Sequence, residues 1–106
     1  MTKDGYPEEH ELDVIKEWHI SKWHKELDPF KLIDFIESIT WTSEWCIKRR
    51  GKRIVYFEFH TAGWSGNEEI IEVLKSTFFW TLYWQKSIRG GHYYFKVYKL
   101  KNKNHE

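Results

Sequence analysis

The chain has 106 residues, which is room for one domain. Its 7 Trp, 7 Phe and 6 Tyr are more large rings than a disordered chain carries, so a packed core is expected. Lys plus Arg total 17 against 16 Asp plus Glu, a formal net charge of +1, which excludes both a strongly basic nucleic-acid binder and an acidic solvating tail.

The first half reads as helical. Pro7 suits a first helical position, with Glu8, Glu9 and Glu11 near the positive end of the helix dipole. Leu12, Val14, Ile15 and Trp18 mark one face, and Ile20, Trp23 and Leu27 continue it past a break near Ser21. Asp28-Pro29 is a second helix start, with Leu32, Ile33, Ile36 and Ile39 as its apolar stripe. That helix is expected to end over Ile39-Thr40-Trp41-Thr42.

The period then changes. Residues 44–48 (EWCIK) read as a strand, Arg49-Arg50-Gly51-Lys52 as a hairpin turn, and residues 53–60 (RIVYFEFH) as the clearest strand of the chain. Val55, Phe57 and Phe59 share one face of it; Tyr56, Glu58 and His60 share the other. A glycine-punctuated loop, residues 61–67, leads into a helix that Ser65 and Glu68 match as a capping box, with Ile70, Ile71, Val73, Leu74 and Thr77 at helical spacing. Residues 79–86 (FWTLYWQK) alternate as a third strand. Arg89-Gly90-Gly91 is a turn, and residues 92–98 (HYYFKVY) form the last strand. Residues 99–106 read as a frayed tail of the single domain 1–106.

The expected fold is therefore α+β: a two-layer domain in α-α-β-β-α-β-β order, with a four-stranded sheet carrying its helices on one face. Val55, Phe57, Phe59, Trp80, Leu82, Trp84, Tyr93, Phe95 and Val97 are the expected helix-facing residues. The strand-helix-strand passage from His60 to Ser87 makes the second and third strands run the same way. Direction alone then gathers His60, Thr61, Trp64, Ser65, Asn67, Glu68, Arg89 and His92 at one end of the sheet.

Cys46 is the single cysteine, so neither a disulfide framework nor a thiolate metal cluster is expected, and the simplest setting is a reduced, cytoplasmic one. No apolar run reaches the ~20 residues of a membrane span, and Met1-Thr2-Lys3-Asp4 does not read as an export signal. No motif calls for a cofactor or a metal: His10, His19 and His24 lack the i, i+4 spacing of helical metal ligands.

Three candidate sites arise. The glycine-rich loop before Ser65 offers free N–H groups to an anion, but Glu68 and Glu69 in the first helical turn oppose one, and shaping the turn is the plainer role. His60 and His92 at a shared sheet end, with Arg89, are the residues an acid–base phosphodiesterase would use; two exposed polar histidines are the plainer reading. The face of Tyr56, Tyr83, Tyr94 and Tyr98, with Glu58, Gln85, His92 and Lys96, suits contact with a protein, a second copy or single-stranded bases, with Glu58 and the balanced charge weighing against bases; the plainer reading is that the first helix or the tail covers it. Trp18, Trp23, Trp41, Trp45, Trp80 and Trp84 are assigned to the core, while Trp64 is open between a plug under its loop, the slightly preferred option, and an exposed anchor.

Two segments carry a resemblance. The run Phe59-His60-Thr61-Ala62-Gly63-Trp64-Ser65-Gly66-Asn67-Glu68-Glu69-Ile70-Ile71 and the later Arg89-Gly90-Gly91-His92-Tyr93 resemble a pattern in a family of small bacteriophage and prophage proteins. Residues 28–41 look similar too. The resemblance implies action in the host cytoplasm and brings no catalytic residue with it. The expected function is that of a phage accessory protein binding a host or phage protein, an inhibitor of host defence among the options. Trp64, Ser65, Asn67, Arg89, His92, Tyr56, Tyr83 and Tyr94 would be its contacts. The alternative is a single-stranded nucleic-acid binder, or a small nuclease using His60, His92 and Arg89.

Overall fold

The computed structural model describes residue 2 and residues 4–20 and 29–98. The expectations placed on Trp23, Leu27, Asp28 and the 99–106 tail lie outside them. Within them the protein is α+β, with the element order α1 (Glu9–Ile20), α2 (Pro29–Ile39), α3 (Ser43–Cys46), β1 (Ile47–Arg50), β2 (Ile54–His60), α4 (Ser65–Leu74), α5 (Phe78–Tyr83), β3 (Trp84–Ile88), β4 (His92–Tyr98).

The sheet order is β1-β2-β4-β3, and every neighbouring pair is antiparallel. β2 and β3 thus run the same way, as the connectivity requires, with β4 inserted between them. The register sets His60 opposite His92 and Phe57 opposite Phe95. Phe57, Phe59, Phe95, Val55 and Val97 from one sheet face form a single core with Ile15, Leu32, Ile33, Ile36, Ile39, Ile70, Ile71, Leu74 and Phe79 of the helices. Burial of those faces is the main stabilising term.

Four local expectations are corrected. Helix α1 starts at Glu9 rather than Pro7, and Glu11 accepts a hydrogen bond from the Glu8 N–H at 2.8 Å. Residues 43–46 form one helical turn, because Thr42 adopts a left-handed conformation (φ 52°) and its carbonyl accepts from the N–H groups of Trp45 and Cys46; β1 begins only at Ile47. The alternation over residues 79–86 is half helix. Thr77 caps α5 by accepting from the Trp80 N–H, and the strand starts at Trp84. On α5 the period is therefore four: Phe79 and Tyr83 are buried, while Phe78 and Leu82 are exposed. Finally, Trp64 rather than Ser65 is the N-cap of α4, which has no side-chain cap.

Trp45 is 77 % exposed, and Trp41, Leu82 and Trp84 are also exposed rather than core. Trp18 and Trp80 are partly buried against the core. No helix among the described residues is long and apolar enough to cross a membrane.

Candidate functional site

The rim at the end of β2 is assembled by register. The Thr61 N–H donates to the Gly91 carbonyl at 2.9 Å, joining the glycine-rich loop to the double-glycine turn. Gly90 and Gly91 both have positive φ (102° and 85°). A Cβ on Gly91 would lie 2.2 Å from Thr61 Oγ1, so the close approach itself needs glycine. The Thr61 hydroxyl is buried there with no hydrogen-bond partner among the described residues.

Beside that seam, His60 Nδ1 lies 2.7 Å from His92 Nδ1, and His60 Nε2 lies 3.0 Å from Glu58 Oε1. Glu58 and His60 are two apart on β2 and share a side; His92 is cross-strand to His60. The Tyr94 ring meets the His60 ring edge-on at 5.8 Å. Both histidines are half-buried. Arg89, in the same turn as the two glycines, is exposed and makes no hydrogen bond or ion pair among the described residues.

The loop residues are otherwise employed. Trp64 is half-buried; its ring stacks on Trp41 at 4.4 Å and its Nε1 donates to the Gly5 carbonyl at 2.9 Å, so it is a plug. Ser65 is exposed, and its hydroxyl lies 3.0 Å from the Tyr6 hydroxyl. The N-terminal segment thereby crosses the start of α4: a Cβ on Gly66 would meet the Gly5 carbonyl at 2.8 Å. That start is closed to an anion by packing as well as opposed by Glu68 and Glu69. Asn67 is fully buried; its Oδ1 accepts from Trp41 N–H at 3.1 Å and its Nδ2 donates to the Trp41 and Thr61 carbonyls. It ties helix, loop and sheet together and presents nothing to a partner. Tyr83 is likewise corrected: it lies on α5 and is 4 % exposed, and its hydroxyl donates to the Tyr98 carbonyl at 2.7 Å.

What remains of the tyrosine face is Tyr56, Tyr94 and Tyr98, interleaved with cations. Opposite Tyr56 stand Arg50 on β1 and Lys96 on β4; opposite Glu58 stands Lys48; opposite Tyr94 stands Lys86 on β3. The Arg50 guanidinium lies 4.7 Å from the Tyr56 ring centroid, and Lys86 Nζ 4.8 Å from that of Tyr94. Lys48, Arg50, Lys86 and Lys96 have no carboxylate partner among the described residues. Arg49, whose side chain takes the other side, is paired with Asp34 and with Glu37 at 3.0 Å. Burial works to lower its pKa, and those two carboxylates outweigh this and hold it above the ordinary value.

The missed signal is segregation of charge. Residues 47–60 and 84–98 carry eight basic side chains and one acidic, Glu58; the five helices carry ten acidic and two basic. The whole-chain +1 conceals a cationic sheet layer on an anionic helix layer, and assigning residues to layers was enough to find it. Among the described residues no three His, Cys, Asp or Glu are placed to hold a metal ion.

Comparison with protein-family models, with curated proteins and with solved structures finds no match to this chain.

Proposed function

We propose that this protein binds single-stranded nucleic acid on the sheet face that its tyrosines and unpaired cations share. The observation that carries the reading is the set Lys48, Arg50, Lys86 and Lys96, without carboxylate partners among the described residues and alternating with Tyr56, Tyr94 and Tyr98. Cations track a phosphate backbone, while tyrosine rings and guanidinium planes stack on bases. A single strand fits an open pleated face because its bases are free to splay onto it. The mixed charge of the whole chain does not weigh against this, because ten of the thirteen acidic residues among the described ones lie on the helices.

Fluorescence anisotropy with a labelled single-stranded oligonucleotide tests it. Four neutralised phosphates predict a log–log salt slope of about −3, so affinity falls roughly 50-fold between 50 and 200 mM salt. Tyr56→Ala costs about 1–3 kcal/mol through lost stacking. Lys48→Glu with Lys96→Glu abolishes binding, and Lys16→Glu on α1 leaves it intact. Absence of binding at 50 mM salt, or binding indifferent to salt, refutes the reading.

A protein partner is the second reading. Phe78 and Leu82, one turn apart on α5, are 56 % and 42 % exposed, and that apolar strip favours it. It would be reached through α5, since Trp64 is committed as a plug and Asn67 and Tyr83 are buried. A bacteriophage setting in the host cytoplasm rests on the resemblance of residues 59–71 and 89–93 and suits either partner.

A further inference from the structure

The histidine pair has a geometry that separates two chemistries. Cleavage by two histidines needs one ring to take the proton of the attacking oxygen and the other to protonate the leaving oxygen, on opposite sides of the phosphorus. Rings whose Nδ1 atoms lie 2.7 Å apart cannot straddle a phosphate; they share one proton. The ionised Glu58 carboxylate only accepts, so His60 donates from Nε2. Neutral His60 then accepts at Nδ1, His92 donates from its own Nδ1, and His92 Nε2 is left as a bare acceptor. These tautomers are assigned from the network. One added proton reverses the relay: His60 becomes an imidazolium between Glu58 and His92, His92 accepts at Nδ1, and its Nε2 carries a hydrogen. His92 Nε2 has no partner among the described residues and borders the Gly90 turn, where a Cβ would sit 3.3 Å from it.

We infer that Glu58, His60 and His92 form a proton-coupled phosphate site: the relay takes up one proton as His92 Nε2–H donates to a phosphodiester oxygen of the bound strand. This rests on the sheet-face reading above. The groups around the pair are Glu58 on β2, Tyr94 on β4, Lys48 on β1 opposite Glu58, Lys86 and Ile88 on β3, and Arg89 in the turn. Glu58 favours the imidazolium, whereas Lys48, Lys86 and Arg89 oppose it. An arriving phosphate neutralises those cations and adds its own charge beside the ring, so strand binding and proton uptake reinforce one another.

The experiment is affinity for a single-stranded RNA 12-mer at fixed salt between pH 8 and 5.5. The wild-type protein tightens by up to about tenfold per pH unit, the limit for one coupled proton. His92→Gln removes that dependence, so that its affinity at pH 5.5 equals its own affinity at pH 8. Glu58→Gln weakens that dependence, because the imidazolium loses its carboxylate partner. Circular dichroism melts confirm that each variant is folded, and proton uptake on binding, measured by calorimetry in two buffers, falls from about one to about zero in His92→Gln. Equal pH slopes in wild type and His92→Gln overturn the proton-coupled site and leave the sheet-face reading standing. Absence of binding at every pH overturns both.

Discussion

Gly91 shows how one missing side chain holds the rim together. Its φ of 85° is a conformation that non-glycine residues rarely adopt, and any Cβ would collide with the buried Thr61 hydroxyl. Gly91→Ala is therefore expected to cost about 2 kcal/mol, read as a fall in the urea midpoint at unchanged m-value. At Gly63, φ is also positive but a Cβ meets nothing within 4 Å, so Gly63→Ala loses only about 1 kcal/mol, from strain alone. A larger loss at Gly63 than at Gly91 would contradict this account of the seam. Asn67 marks the limit of reading residues from sequence. A polar residue in a loop-to-helix run looks like a contact, and only the closing of Trp41 and Thr61 around it reveals a satisfied buried amide. His60 and His92 were legible as neighbours because strand direction alone put them at one end. Their direct hydrogen bond was not, since it depends on a register that no local pattern states.

At the level of elements, β2, β4, α2 and α4 were readable because their apolar periods are unbroken and their neighbours punctuate them. Failures fell where two periods abut. Over residues 78–88, six helical residues run into a strand without a glycine or proline between them, and a window spanning both sees false alternation. Helix α1 carries its own acid-sensitive support. Partial burial pushes the Glu11 carboxyl up, but the Glu8 N–H leads the interactions that outweigh it, so its pKa lies below the ordinary value. A lowered pKa in the folded state contributes stability above the unfolded pKa and loses it as pH falls through the folded one. Glu11→Gln is thus expected to cost about 0.5 kcal/mol at pH 7, small because the group is only partly buried and solvent screens it. The difference should vanish below the carboxylate range. A gap between the two proteins that persists unchanged in acid, by thermal melts at several pH values, would exclude the charged cap.

Across the whole molecule, the two layers differ in sign as well as in secondary structure. Such a body orients as it approaches a polyanion, presenting its sheet and turning its helices away, which raises productive encounters without a large net charge. Both outer strands of the sheet also bear cations, Lys48 and Arg50 on β1 and Lys86 on β3, which discourages edge-to-edge pairing of copies.

The placement of β4 has a consequence for birth of the protein on the ribosome. The last of the described strands, β4, lies inside the sheet, flanked by β2 and β3. Until residue 98 has been synthesised and has left the exit tunnel, β2 has a bare flank and β3 has no partner at all. The layer therefore closes in one late event, dominated by contacts distant in sequence, and nascent intermediates expose sticky strands that invite chaperones.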